Sequence, residues 1–213
     1  GVQTCALPIL APRPPALPLM ATVRVFVPTY RRATFLRRAL ASMQAQTFSD
    51  WICEVHNDDP LDQAPRGIVD ELNDPRIRLI THERQLGVTA VFNLFFKATL
   101  EPFYTMLEDD NWWEPEFLAT MIETARAHPR ATLIWANMRV WQEREDGNFC
   151  DTGKTVWPRS EAKHLTFEWP NPAQMCGALH SNGAALIRSQ PGDDFSIPNV
   201  PFAVVEPFRE RAL

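Results

Sequence analysis

Three adjacent acids, Glu108, Asp109 and Asp110, follow a short apolar run formed by Tyr104, Thr105, Met106 and Leu107. Asn111, Trp112 and Trp113 come next, and Glu114, Pro115 and Glu116 mark a helix start. Neighbouring carboxylates repel one another. Placed at the exit of an apolar strand, they cost stability unless a cation neutralises them. The chemistry that suits such a group is the holding of a hard divalent cation through oxygen. A solvated acidic turn is the alternative. The apolar strand before the acids and the tryptophans after them favour the tip of a buried element.

Other elements must bring partners to that tip. Residues 23–27 are short, apolar and β-branched, a strand pattern, and the run ends at Pro28, Thr29, Tyr30, Arg31 and Arg32. Phe35, Leu36, Ala39, Leu40 and Met43 then recur at helical spacing. Arginines at a helix start oppose the helix dipole, but they fit an anion such as a diphosphate lying above them. A solvated arginine pair is equally open. A second strand, 51–55, leads into His56, Asn57, Asp58, Asp59 and Pro60. A helix is predicted over 61–72, with Ile68, Val69 and Leu72 inward, and Pro75 stops it. Residues 76–80 alternate as a third strand, and 83–87 form a turn. A helix over 88–100 turns Val91, Phe92, Phe95 and Phe96 inward. After the acids, Phe117, Leu118, Met121, Ile122 and Ala125 mark a helix that His128 and Pro129 close, and 131–135 is a fifth strand.

This alternation predicts an α/β fold with a mainly parallel sheet and helices on both faces. Ligands of such sheets bind beyond the carboxyl ends of the strands. Three polar clusters lie at those ends: residues 28–32, 57–59 and 108–111. The chain holds no G-x-G-x-x-G or Walker-type loop, so ordinary dinucleotide and P-loop sites are excluded.

The bulk figures narrow the class further. The chain has 213 residues, 45% hydrophobic and 22% charged, enough for one domain with a sizeable core or one domain with an added lobe. A net charge of −5 without a long basic run argues against nucleic-acid binding. The four cysteines, Cys5, Cys53, Cys150 and Cys176, have neither metal-ligand spacing nor a disulfide pattern, so a cytoplasmic setting is the default. No apolar run approaches the ~20 residues of a membrane span. Residues 1–19 are rich in proline and are expected to be a non-native or disordered leader, with 1–9 resembling a translated sequencing adapter and Met20 the natural start. Residues 20–137 form the expected nucleotide-facing half. Residues 138–213 form a loop-rich acceptor-side part, with a turn-rich loop or hairpin over 141–151 and an expected truncation at the C-terminus.

With these residues in view, residues 23–137 resemble glycosyltransferase family 2, the inverting nucleotide-sugar transferases of GT-A fold. Val25 to Arg31 look like the family's first strand, and Phe35 to Phe48 like its following helix. Val55 to Asp59 look like its strand-end acidic motif. Gln85 to Asn93 look like its Asn-x-Gly loop and helix, with Gln85 in place of the usual asparagine. Leu107 to Leu118 look like its D-x-D segment, with Glu108 in place of the first aspartate.

The resemblance implies an α/β GT-A-like fold and a nucleotide-diphosphate sugar as donor. It implies transfer to an acceptor hydroxyl, left unidentified, with inversion. Pro28, Thr29, Tyr30 and Arg31 would line the nucleoside and phosphate side, with the Tyr30 ring against base or ribose. Asp58 would accept a hydrogen bond from the base, with Asn57 as the alternative. Arg84 and Gly87 would lie near diphosphate or ribose. Asp109 would meet ribose or donor sugar. Asp110, with Glu108, would hold Mn2+ or Mg2+. An inverting transfer also needs a general base. Glu206 is the candidate, and Asp193 and Asp194 are the runners-up. Residues 178–188 resemble the strand before the acceptor side; there Gly183 permits close backbone approach, and His180 reads as an ordinary pocket or core histidine. Most of the seven tryptophans are expected to pack in the core or at its rim. Two other classes share parts of this pattern. One is a nucleotide-sugar-binding module without a working base. The other is a sugar-1-phosphate nucleotidyltransferase, which ranks low because residues 28–30 are not a glycine-rich basic loop.

Overall fold

The computed structural model of the chain describes residues 21–156 and 182–196. In chain order the elements are β1 (Val23–Thr29), α1 (Ala33–Gln44), β2 (Trp51–Asn57), α2 (Ala64–Leu72), β3 (Ile77–Thr81), α3 (Val88–Phe95), β4 (Phe103–Met106), α4 (Phe117–Ala127), β5 (Leu133–Trp135), β6 (Arg139–Glu143), β7 (Phe149–Thr155) and β8 (Ala185–Arg188). A short 3-10 turn, Asn182–Ala184, leads into β8.

The side chains of β1 sort by the two-residue period of a strand. Val23, Val25 and Val27 are fully buried with Leu36 and Leu40 of α1, Ile68 of α2 and Leu118 and Ile122 of α4. Phe26 belongs to a second core with Val91, Phe92 and Phe95 of α3, Tyr104 and Met106 of β4, and Ile187 of β8. Helices therefore cover both faces, as the alternation predicts. The six-stranded sheet has the order β3-β2-β1-β4-β8-β5. Its first four strands are mutually parallel, so their carboxyl ends share one edge.

Several boundaries differ from the sequence expectation, each for a physical reason. β5 does not join β4 directly. β8 enters between them, antiparallel to both, and its short apolar run fills the gap left by the α4 crossover. α2 begins at Ala64 rather than 61, because the Asp59 and Asp62 carboxylates accept from Leu61 N and Ala64 N and turn the chain first. α3 ends at Phe95 rather than 100. Ala98 N donates to Asp193 O, Thr99 N donates to the Ser189 hydroxyl, and Lys97 bridges to Asp194, so the segment after β8 takes the bonds a longer helix would use. Over 141–151 the chain forms part of the antiparallel β6–β7 hairpin.

β2 is buried along all seven residues although it carries Glu54, His56 and Asn57. Charge is balanced locally. Arg24 Nη1 lies 2.8 Å from Glu54 Oε2, Arg24 Nε lies 2.7 Å from Glu101 Oε2, and Arg78 also pairs with Glu54. Burial disfavours the Glu54 charge, but the Arg24 and Arg78 charges paired with it, with His56 Nε2 3.8 Å away, outweigh it and carry the pKa down to about 2. A folded-state pKa below the unfolded one stabilises the fold above the unfolded value. That stability is lost as pH falls through the folded value. Glu54→Gln should therefore cost about 3 kcal/mol near neutrality, in the range for breaking a buried pair. The gap to wild type should narrow as pH falls from about 5 towards 2. Urea midpoints across that range test this, and a gap independent of pH would contradict it.

Candidate active site

β1, β2 and β4 deliver their polar exits to the shared carboxyl edge. The acidic turn sits at its centre. Thr29, the last residue of β1, donates its hydroxyl to Asp109 Oδ2 at 2.8 Å, across 80 residues of sequence. Asp109 is buried, and burial pushes its carboxyl above the usual range against the opposing pull of Thr29 and Arg32. Asp110 is half exposed, and Arg32 Nη1 lies 2.7 Å from its Oδ2 and 3.5 Å from Asp109 Oδ1. Glu108 turns elsewhere. Its Oε2 accepts from Asn111 Nδ2 at 3.1 Å, next to Gly183. A Cβ on Gly183 would meet Asn111 Nδ2 at 3.4 Å and Glu108 Oε2 at 3.5 Å, ordinary van der Waals contact. The three acids thus divide: Asp109 and Asp110 share one cation, while Glu108 faces the turn that precedes β8.

The two arginines also divide. Arg31 has φ 55°, a left-handed backbone unusual for a side chain of its size. It pairs with Asp59 at 2.6 Å while Arg32 pairs with the acidic turn. Strain of this kind costs of order 1 kcal/mol and collects at functional sites. The Arg31 guanidinium also lies 5.1 Å from the centroid of the Tyr30 ring, and Tyr30 is exposed. A depression beside them is lined by Arg31, Ala33, Asp59, Leu61, Asp62 and Ala64.

The exit of β2 serves the scaffold more than the sequence suggests. Asn57 uses both ends of its amide: Nδ2 donates to Asp62 O and Oδ1 accepts from Asp59 N. Asp58 points away from the depression. Its carboxylate accepts from Leu86 N at 2.8 Å, from Gly87 N at 2.9 Å, and lies 3.0 Å from His82 Nδ1. His82 Nε2 in turn lies 3.2 Å from His56 Nδ1. Gly87 begins α3 with φ 86°, which glycine adopts without cost. Asp58 therefore clasps the loop that carries the exposed Arg84, and Asp59 is the acid that lines the depression.

Asp193 and Asp194 lie on the other side of the molecule. β8 runs antiparallel, so the segment after Arg188 meets Pro102 and Ala98 at the amino edge of β4. Asp194 binds Ser196 N and feels Lys97 there. The structure does not bring it to the acidic turn, which corrects its assignment as runner-up for the base. Glu206 and His180 lie outside the described residues.

Sequence reading missed Arg38. It projects from α1 over Trp112 and Phe149, 4.3 and 4.1 Å from the centroids of rings that meet each other edge to face at 5.5 Å, and donates to Asp110 O at 2.8 Å. Trp112 also packs on Trp141 at 5.4 Å, so this guanidinium joins the acidic turn to the β6–β7 hairpin. Trp113 is buried and stacks on Phe117, as expected of a core tryptophan, and its Nε1 donates to Gly183 O at 2.6 Å. Arg38 gives only a polar position within an amphipathic pattern, and its partners at the acidic turn and the hairpin lie 72 or more residues away in sequence.

Among the described residues no group of three or more His, Cys, Asp and Glu could hold a metal ion unaided. Asp109 and Asp110 nonetheless fit a hard cation that takes its other ligands from phosphate. A positive group, the Arg32 guanidinium, already rests on them. An acidic pair and a basic pair at the carboxyl edge of a parallel sheet suit the binding of a phosphorylated ligand.

The comparisons with known proteins agree with that class. Residues 24–178 match the profile described as Glycosyl transferase family 2, and the chain belongs to this family. EpsH of Bacillus subtilis (strain 168) is 30% identical over 136 residues, 63% of this chain and 36% of EpsH. The UDP-Glc:alpha-D-GlcNAc-diphosphoundecaprenol beta-1,3-glucosyltransferase WfgD of Escherichia coli is 30% identical over 91 residues, 43% of this chain and 36% of WfgD. The chain thus spans little more than a third of the length of these curated relatives. The structure of Staphylococcus aureus TarS 1–349 in complex with UDP-GlcNAc superposes with a TM-score of 0.60 at 17% identity, over 78% of this chain and 45% of TarS 1–349. The fold is GT-A.

The Asp58 clasp has a direct consequence. Leu86 N and Gly87 N donate to different oxygens of Asp58, so Asp58→Asn sets an amide NH2, itself a donor, against one of the two N–H groups. The substitution should cost about 1.5–3 kcal/mol, the range for hydrogen bonds to a charged group. Exchange at the Leu86 and Gly87 amides should quicken. Urea denaturation and hydrogen exchange test this, and wild-type protection at both amides in the variant would refute the clasp.

Proposed function

We propose that the protein transfers a sugar from a nucleotide-diphosphate sugar to an acceptor hydroxyl, with inversion and with Mn2+ or Mg2+. The observation that carries this reading is the meeting of Thr29, Arg32, Asp109 and Asp110 at the carboxyl edge of the sheet. The chain's membership of glycosyltransferase family 2 supports it. WfgD is named for glucosyl transfer to a lipid-linked sugar, and we take the acceptor here to be a growing glycan.

In this reading the nucleoside lies in the depression beside Tyr30, with the ring packing on base or ribose. Asp59 takes the hydrogen-bonding role that sequence reading gave to Asp58 or Asn57. Asp109, fixed by Thr29, meets the ribose or the donor sugar. Asp110 supplies the protein's oxygen to the cation, and Glu108 supports the turn through Asn111. A divalent cation held there would stabilise the departing diphosphate by spreading its charge. Arg84 approaches the phosphates from the loop that Asp58 clasps. The acceptor oxygen bonds to the anomeric carbon as the diphosphate oxygen leaves from the opposite face. The acceptor proton passes to a carboxylate base, with Glu206 as the candidate.

A thermal-shift panel of nucleoside diphosphates with and without Mn2+ tests the donor site. At least one should raise the melting temperature in a metal-dependent way, and Asp110→Ala should abolish the metal-dependent part. A full response in that variant would sink the ligand assignment. Glu206→Gln should lower turnover by 100-fold or more while leaving the thermal shift intact, in line with loss of a general base. Unchanged transfer would remove Glu206 from the mechanism.

A further inference from the structure

Arg32 stands where a cation is wanted. Its guanidinium lies 2.7 Å from Asp110 Oδ2 and 3.5 Å from Asp109 Oδ1. Among the described residues no other cationic side chain lies within ion-pair distance of Asp110. The position is also easily vacated. The Arg32 side chain is 52% exposed, and Arg32 caps α1 without a side-chain hydrogen bond to the helix. No acid lies in the first turn of α1 to hold it there.

A divalent cation ligated by Asp110 would sit about 2.1 Å from a carboxylate oxygen. A guanidinium nitrogen in contact with the same oxygen would then face a doubly charged ion at close range. The two positive groups compete for one carboxylate. The left-handed turn at Arg31 sets Arg32 at the start of α1, where the helix dipole favours an anion. The displaced guanidinium therefore has one suitable new partner, the diphosphate of the donor.

We propose that Arg32 is an exchangeable counter-ion: it neutralises Asp109 and Asp110 while the donor is absent, yields Asp110 to the metal, and re-pairs with the donor diphosphate. The proposal rests on the metal-site reading of Asp110 given above. Charge explains why the exchange has a use. Asp109, Asp110 and Arg32 together carry one net negative charge. A divalent cation alone would leave the cluster net positive, with only the longer 3.5 Å contact to Asp109 left to Arg32. A cation arriving with a diphosphate diester adds no net charge and gives Arg32 its partner. Arg32 thus makes metal and nucleotide bind as a pair, a coupling that acts equally on both ligands.

The sign of the effect separates this role from a merely structural one. Loss of a structural residue weakens every ligand. Loss of a competing counter-ion strengthens the metal and weakens the diphosphate. Free Mn2+ is titrated against the protein by its electron paramagnetic resonance signal, with and without UDP, in wild type, Arg32→Gln and Arg32→Lys. Far-UV circular dichroism checks that each variant is folded. In the absence of UDP, Arg32→Gln should bind Mn2+ about threefold to fivefold more tightly, the scale of a part-exposed ion pair. The enhancement of Mn2+ affinity by UDP should shrink by about tenfold, as expected from loss of a charged contact to phosphate. Arg32→Lys should stay close to wild type in both. Weaker or unchanged Mn2+ binding by Arg32→Gln, with a wild type that binds Mn2+ and UDP together, overturns the counter-ion role alone. Absence of Mn2+ from every protein, with or without UDP, overturns the metal-site reading and this proposal with it.

Discussion

Everything at the carboxyl edge depends on how two adjacent carboxylates are kept together at the end of β4. Asp109 is buried and Asp110 lies beside it, half exposed. Repulsion between them is offset from β1 and α1, not from their own element. Thr29 donates to Asp109, Arg32 bridges both side chains, and Arg38 holds the Asp110 carbonyl. β1 must therefore neighbour β4 in the sheet. The sheet order places it there, between β2 and β4. The topology and the electrostatics make the same demand. The mainly parallel GT-A arrangement meets it by putting the strand exits on one edge.

The rest of the structure secures that edge. The α1, α2 and α4 side of β1 is a continuous apolar core, and the α3 side is a smaller aromatic one. β2 brings charge into the interior and balances it with Arg24 and Arg78. Its exit residues then divide the labour, with Asn57 shaping the turn, Asp58 clasping the 82–87 loop and the buried Asp59 pairing with the exposed Arg31. Arg38 extends the same support to the β6–β7 hairpin by lying over Trp112 and Phe149, which meet edge to face.

Much of the fold was legible because its signals are periodic. The apolar alternation of β1 and the helical spacing of Leu36, Ala39, Leu40 and Met43 are local properties, and both appear in the structure. The three polar exits follow from topology once the parallel order is accepted. What escaped the sequence is what depends on pairing at a distance. β8 lies more than 70 residues beyond β4, and no local pattern says that it inserts before β5. Asp58 and Asp59 are adjacent and both buried but take different partners, and the amides that claim Asp58 belong to Leu86 and Gly87. Arg38 looks like any solvent-facing helix residue until Trp112 and Phe149 are placed around it. Asp194 failed for the same reason in reverse, since the direction of β8 carries it to the far edge.

The central claim is that Asp110 and a nucleotide diphosphate share one divalent cation at the exit of β4. Anomalous diffraction from crystals grown with Mn2+ and UDP addresses it directly. The account predicts a manganese peak about 2.0–2.2 Å from an Asp110 carboxylate oxygen, bridging to the diphosphate, with Arg32 moved off Asp110. A UDP-bound crystal with no manganese at Asp110, or with manganese held elsewhere while Arg32 keeps its pairing, would contradict it.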